Sequence, residues 1–249
     1  MKFSIITCTK NSMAFLPTTV KAVQMQTCSD YEHIFVDGNS TDGTLEYIKK
    51  LPGNIHLLEN VSGGIAKAMN EGIRAASGEV VAHMHSDDYY YSPDVFASVG
   101  SALEQSGAQW VFGRIMSDID NVVVPECYVV PRYSYQRFLQ GNFIPHPATF
   151  IRRSVFEEVG LFSETLRYAM DYDMFLRIAK WHTPIQLNEH LAVFRRHDGS
   201  TTQANFMDSF EEDFKVRCRH AHWYELPEAL ARYAVRRQRH LRRLEGDGQ

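Results

Sequence analysis

Short, apolar, β-branched runs alternate with helix-patterned stretches through the N-terminal part of the chain, and this alternation does most to restrict the fold. "FSIITCT" precedes "FLPTTVKAVQMQ", and "YEHIFVDG" precedes "DGTLEYIKKL", which has acid near its start and lysines in its last turn as the helix dipole favours. "NIHLLEN" precedes "GGIAKAMNEGIRAASG", closed by Gly78, and "EVVAHMH" is the fourth run. Strands alternating with helices fold as a parallel, doubly wound sheet, and such sheets bind ligands beyond the carboxyl ends of their strands. That rule selects "TCTKN", "VDGNSTDG" and "HSDD", all polar and all at strand ends.

Beyond about residue 108 the alternation decays. "AQWVFGRIMSD" and "NVVVPECYVV" read as strands around a turn at Asp120-Asn121, "YSYQRFLQGN" as a short helix, and "PATFIRRSVFEEVG" as a strand running into a helix. "YAMDYDMFLRIAKW" is helical, with Met170, Met174 and Ile178 at helical spacing, and "IQLNEHLAVFRRH" returns as a strand. From about Thr201 the pattern is two helices, the second opened by Pro227. With no Pro/Gly/Ser linker between these parts, the reading is one continuous domain with a C-terminal helical addition.

Bulk properties exclude several classes. The 249 residues bury a full core, and no apolar stretch is long enough to span a bilayer. The opening "MKFSIITCTKN" lacks the long apolar region and cleavage site of a signal peptide, and the 4 cysteines show no CxxC spacing; both predict a reducing cytoplasm. Cys218-x-His220-x-His222 is a poor metal cluster, since only Cys218 and His222 share a helical face. Net charge is −4, although Arg232 to Arg243 carry six arginines and no acid, leaving a more acidic body. Overall charge therefore argues against nucleic acid as a partner.

Adjacent carboxylates at a buried strand end are costly unless a cation binds, so Asp87 and Asp88 fit a hard divalent metal that also takes substrate phosphates, or else a turn and helix start. In "VDGNSTDGT", Asp37 can bond a base or ribose, whereas Ser40, Thr41 and Asp42 read as turn and cap residues. No GxGxxG or Walker A run is present. In the third helix Ile65, Met69, Ile73 and Ala76 form an apolar stripe; Lys67, Asn70, Glu71 and Arg74 fall on the other side, where Lys67 can reach a diphosphate or merely solvent. In "YAMDYDMFLR", Asp173 has an i,i+4 partner in Arg177, which leaves Asp171 as the freer carboxylate.

Together "SIITCTKN", "IFVDGNSTDGT", "GGIAKAMNEGIRAASGEVVAHMHSDD" and "AMDYDMFLRIA" resemble, in order and at workable spacings, the inverting glycosyltransferases of family two. The resemblance runs from residue 2 to about 200 and implies a GT-A (Rossmann-like) α/β fold: a mixed, mostly parallel sheet flanked by helices, with a C-terminal helical extension. It implies a nucleotide-sugar-binding half over residues 1–118, an acceptor half over 119–200, and an extension with a basic tail over 201–249. The resemblance carries a Mg²⁺ or Mn²⁺ site to Asp87 with Asp88 behind it and His197 near by, and a general base to Asp171. It carries donor contacts to Thr7, Thr9, Asn11, Asp37, Lys67, Asn70, His85 and Ser86, and an acceptor-side role to His146. Three positions depart from the family pattern: His85 stands for the first acid of the DxD motif, Gly38 for the second acid of "vvDDgS", and Met170 for the acid before the base.

The implied activity is inverting transfer of a sugar, a hexose by expectation, from a nucleotide carrier, UDP placed ahead of GDP, to a saccharide or lipid-linked saccharide. The implied setting is bacterial surface polysaccharide assembly (capsule, exopolysaccharide or O-antigen). The competing readings are a catalytically silent domain that binds a nucleotide sugar or a partner, a sugar-phosphate nucleotidyltransferase, and a phosphohydrolase. The tail "ALARYAVRRQRHLRRL" suggests weak docking on anionic lipid at the inner face of the cell membrane, a solvated helix or a dimer contact.

Overall fold

In the computed structural model the chain is described for residues 1–126, 130–197 and 206–246, with side chains to residue 239 apart from Phe206. Cys127 and the side chains of Leu241, Leu244, Arg242 and Arg243 lie outside the described residues. The N-terminal alternation folds as β1 (Phe3–Thr9), α1 (Leu16–Gln24), β2 (Tyr31–Asp37), α2 (Thr44–Ile48), β3 (Ile55–Leu58), α3 (Ile65–Ala75) and β4 (Val80–His83). A two-residue strand β5 (Tyr89–Tyr90) and helix α4 (Val95–Ser106) follow. The sequence reading passes over α4, although Val95, Phe96, Val99 and Leu103 are buried at helical spacing and left-handed Gly107 closes it.

The second part contains β6 (Trp110–Ile119), β7 (Val122–Pro125), α5 (Tyr135–Phe138), β8 (Thr149–Arg152), α6 (Ser154–Val159), α7 (Met170–Ala179) and β9 (Ile185–Arg196). The turn expected between β6 and β7 forms at Asp120 and Asn121, with φ of 52° and 66°, the left-handed pair that two-residue hairpins require. Helices α8 (Phe206–His220) and α9 (Leu226–Gly246) complete the chain.

All strands join one mixed sheet in the order β3-β2-β1-β4-β8-β6-β9-β5, with β7 on the outer part of β6. Strands β1 to β4 are mutually parallel, β8 runs antiparallel to both β4 and β6, and β9 is parallel to β6. β1 is buried along its whole length, as a central parallel strand covered on both faces must be. Helix α3 lies so close over β1 that a Cβ on Gly72 would come within 2.4 Å of Ile6 Cγ2, so glycine is a packing requirement there. The buried face of α3 is wider than the stripe seen in the sequence: Ala66, Ala68 and Asn70 are buried as well, while Ile65 at the helix start is exposed.

Below the sheet's ligand end, Glu32 is 1% exposed and accepts bonds from the Ser4 hydroxyl, the Ser77 N–H and hydroxyl, and the Gly78 N–H, with Lys2 at 3.4 Å. Burial pushes its carboxyl up, but these hydrogen bonds and the Lys2 charge outweigh that and bring it down to about 2. A depressed carboxyl contributes stability above its unfolded pKa of about 4.3 and loses it as pH falls toward the folded value. Glu32→Gln should therefore cost about 3 kcal/mol at neutral pH. In urea titrations, the gap from wild type should close as pH falls from about 4 to about 2; a gap that persists at low pH would assign the effect to packing instead.

Candidate active site

A cavity of about 630 Å³ opens at the carboxyl ends of β1 and β4, where the strand order turns from parallel to antiparallel. Its wall includes Lys10, His85, Ser86, Asp87, His146 and Asp171 among others. Most of the sequence-selected side chains thus converge, but not all of them in the way the sequence suggests.

The first two strand-end loops are locked to each other rather than turned outward. The buried Asp37 accepts from the Thr9 hydroxyl at 2.8 Å and from the Ser40 N–H and hydroxyl at 2.8 and 2.6 Å. Asn11, at φ 52°, receives the Thr41 N–H on its side-chain oxygen and gives its own N–H to Ser40. Thr9, Asn11 and Asp37 therefore hold the two loops together, and none of the three lines the cavity. Ser40 and Asp42 act as the turn residues expected, with Asp42 accepting from the Thr44 N–H and hydroxyl, while the cap position of α2 is taken by Gly43.

Thr7 and Asn70 are placed elsewhere. The fully buried Thr7 hydroxyl donates to the Met84 carbonyl and meets His33 Nε2, and the residue does not line the cavity. Asn70, 1% exposed, gives its amide N–H groups to the Phe162 carbonyl and Glu164, and accepts the Phe162 N–H. It staples α3 to the loop after α6 instead of facing solvent, because Gly72 sets α3 deep enough on β1 to bring that face against the loop. Lys67 lies outside the cavity wall with its methylenes against Gly63; Lys10 is a lysine that lines it.

At "HSDD" the two carboxylates separate in role. Asp87 Oδ2 lies 2.9 Å from His197 Nε2, and both side chains are about a quarter to a third exposed. Asp88 is buried, accepts the Arg195 N–H at 3.0 Å, and is held well above the ordinary carboxylate range by burial and by Asp87. Arg195 in turn pairs with Asp118 at 3.2 Å, to which the Tyr89 hydroxyl also donates. Among the described residues no three His, Cys, Asp or Glu side chains form a ready-made metal cage. The donor set that does exist, one accessible carboxylate and one imidazole, fits a Mg²⁺ or Mn²⁺ ion that completes its shell with substrate phosphates. Cys218, His220 and His222 form no such set, and His220 is bonded to Asp173.

The substitution at His85 changes the local charge. His85 and His146 rings lie 5.2 Å apart, and His83 lies 5.3 Å from His146. Burial is the main cause that pushes all three imidazoles down, to about 3 for His83, so they are neutral at pH 7. The buried Nε2 atoms of His83 and His146 have no protein partner. Where the family pattern has an acid, this cavity has uncharged hydrogen-bonding rings.

Asp171 occupies the first turn of α7. Its Oδ1 accepts the Tyr172 N–H at 2.6 Å, and its Oδ2 receives the Asn142 amide at a long 3.4 Å. Burial lifts its carboxyl to about 6 against those bonds. Asp173 is held by Arg177, as the spacing implied, and also by His220, which the spacing did not show. Sequence reasoning missed Asn142, Glu126, Arg167 and Arg196, all in the cavity wall. Arg196 pairs with Glu126 at 2.8 Å. Its signal was visible, since it directly precedes His197; Asn142 and Glu126 belong to no motif. The basic tail is also partly engaged: Arg232 bonds Gln140 and Glu228, Arg236 bonds the Gln140 carbonyl, and Arg237 pairs with Glu211.

The family model described as glycosyl transferase family 2 matches residues 4–160. An uncharacterized glycosyltransferase of Mycobacterium tuberculosis is 33% identical over 199 residues, covering 77% of this chain and 74% of that protein. A PGL/p-HBAD biosynthesis glycosyltransferase of Mycobacterium bovis is 30% identical over 180 residues, covering 70% and 68%. Among solved structures, S. aureus TarS 1–349 in complex with UDP-GlcNAc superposes with a TM-score of 0.74 at 19% identity, covering 94% of this chain and 72% of that one. The mannosyltransferase PcManGT from Pyrobaculum calidifontis, in complex with GDP-Man and Mn²⁺, gives 0.65 at 19%, covering 94% and 73%. These two likenesses show the mixed α/β GT-A fold.

Asn70 separates a structural from a ligand-contacting role. Asn70→Ala should cost about 2 kcal/mol, because it strands a buried N–H and carbonyl of Phe162, and should lower Tm by about 4–8 °C. Nucleotide affinity measured by calorimetry should stay at the wild-type value; a loss of affinity without loss of Tm would return Asn70 to the donor site.

Proposed function

The chain belongs to glycosyl transferase family 2 and is a glycosyltransferase, and on that footing we propose that it moves a sugar from a nucleoside diphosphate carrier to an acceptor hydroxyl with inversion, using Asp171 as general base. The observation that carries this reading is one cavity shared by Asp171, with its carboxyl lifted to about 6, and by Asp87, which is bonded to His197. Asn142 and the Tyr172 N–H orient the Asp171 carboxylate, which takes the acceptor's proton as that oxygen attacks the anomeric carbon. The bond to the carrier breaks in the same displacement, and its electron pair leaves with the diphosphate. A carboxyl near 6 is a stronger base than one at the usual value of about 3.9 and is still ionised at neutral pH.

Asp87 and His197 would hold a Mg²⁺ or Mn²⁺ ion, which when bound offsets the negative charge that grows on the leaving diphosphate. Lys10 and Arg196 add fixed positive charge to the same wall. The donor reading draws support from fold relatives in complex with UDP-GlcNAc and GDP-Man, and the metal from the one with Mn²⁺. We place the donor half at residues 1–118, the acceptor half at 119–200, and the extension at 201–249. The acceptor is a saccharide or lipid-linked saccharide of bacterial surface polysaccharide assembly; both curated relatives above are from bacteria.

Among the described residues no helix is long and apolar enough to cross a membrane. Any contact with anionic lipid at the cytoplasmic face would use the exposed Trp223 and Tyr224 and, on α9, the exposed Leu230 and Val235.

Asp171→Asn should lower kcat by about 10²–10⁴-fold and leave nucleotide binding intact. Wild-type kcat should fall as pH drops through about 6, because protonation of the base removes the active form; a flat profile from pH 5 to 8 would exclude Asp171 as the base. Calorimetry with UDP and then GDP, with and without Mn²⁺, should give metal-dependent binding of one nucleotide that Asp87→Ala abolishes. Binding of neither would favour a catalytically silent domain.

A further inference from the structure

We propose that Glu212, on helix α8, is a positioning residue for Asp171, so that the segment after residue 206 is a working part of the catalytic centre. This rests on the assignment of Asp171 as the base. Helix α7 begins at Met170 with Ala169 as its cap residue and no capping side chain from its own segment. The amides at such an end have no helical partner and need one. Glu212 supplies one for the cap residue and also holds the stretch of chain that leads into it: its two oxygens receive the Arg167 N–H at 3.1 and 3.0 Å, and Oε2 also receives the Tyr168 N–H and, at 2.8 Å, the N–H of the cap residue Ala169. Three consecutive amides, ending two residues before Asp171, thus converge on one carboxylate. The Arg167 and Tyr168 side chains line the cavity beside Asp171, so this clamp fixes the whole rim that carries the base.

The extension touches the base's surroundings at two further points. His220 Nε2 lies 3.1 Å from Asp173 Oδ1 on the same helix α7. From α9, Arg232 donates to the Gln140 side chain at 2.9 Å and Arg236 to its carbonyl at 3.3 Å, two residues before Asn142, whose amide bonds Asp171. The rim at 167–171 and the segment at 140–142 are therefore each held by a helix of the extension. Neither the base nor its brace lies within the family match, which ends at residue 160.

The test uses the full chain as wild type, Glu212→Ala, Glu212→Gln and Asp171→Asn. Amide hydrogen exchange across 165–175 reads the clamp without any substrate. Release of nucleotide from UDP-N-acetylglucosamine and from GDP-mannose, with water as acceptor, reads the chemistry, and calorimetry with UDP and GDP reads the donor end. Glu212→Ala should speed exchange at 167–169 at least about tenfold and lower kcat by about 10²-fold, the scale of a 1 Å misplacement. Donor KM and nucleotide affinity should stay within about twofold, and Glu212→Gln, which keeps an acceptor oxygen, should recover most of kcat. Unchanged exchange at 167–169 overturns the clamp, and faster exchange with wild-type kcat overturns its role in positioning. If Asp171→Asn is inactive while Glu212→Ala turns over normally, the base stands and this inference falls. If Asp171→Asn turns over like wild type, the base assignment itself fails.

Discussion

The buried ion pair between Arg195 and Asp118 is the interaction on which the geometry of the site most depends. Its arginine is at the end of β9 and its aspartate near the end of β6, while the Arg195 backbone N–H holds Asp88 and the Tyr89 hydroxyl holds Asp118. One charge network thus fixes the "HSDD" turn to β6 and to β9. Removing a single partner from such a pair leaves an uncompensated buried charge, which typically costs about 3–5 kcal/mol. The Arg195 guanidinium also lies over the Phe15 and Tyr89 rings, so its planar head is held by aromatic contact as well as by its ion pair. The result is that Asp87, next to the anchored Asp88, meets His197, two residues beyond Arg195, at hydrogen-bonding distance.

The same principle of anchoring by the neighbour recurs around the base. Asp173 is fully committed to Arg177 and His220, which leaves Asp171 as the acid that keeps a proton-accepting role. Like Asp87 and Asp88, these two acids are close in sequence, and one is spent on structure while the other faces the cavity. The free members sit in different surroundings. Asp171 is enclosed, and its carboxyl is lifted by desolvation. Asp87 has an imidazole partner and contact with solvent.

What could be read from the sequence follows from how local each signal is. β1 to β4 and the helices between them announce themselves through runs of apolar residues and dipole-matched ends, and all of them form. Asp171 could be distinguished from Asp173 by the Arg177 spacing alone, because an i,i+4 pair is a property of one helix. Asn70 and Thr7 could not be placed: their partners, Phe162 and Met84, are 92 and 77 positions away, and polar residues in a strand or helix read equally well as ligands. Glu212 is hidden for the same reason, since nothing near it in the chain shows which amides it will meet. α4 is a different kind of miss, a local pattern overlooked beside a conspicuous aspartate pair.

The change of strand direction between β4 and β8 has a consequence for how such an enzyme can diversify. Only three residue pairs, from Val80 opposite Arg152 to Ala82 opposite Phe150, join the parallel block to the antiparallel one along this seam. Backbone ladders make few demands on side-chain identity, so exchange of one block for another would be limited by the side chains and the shared core that cross the seam. The exchange unit would have to bring its own partners for Asn70 and Asp88, because those two side chains reach across the boundary and would otherwise be buried with nothing to bond.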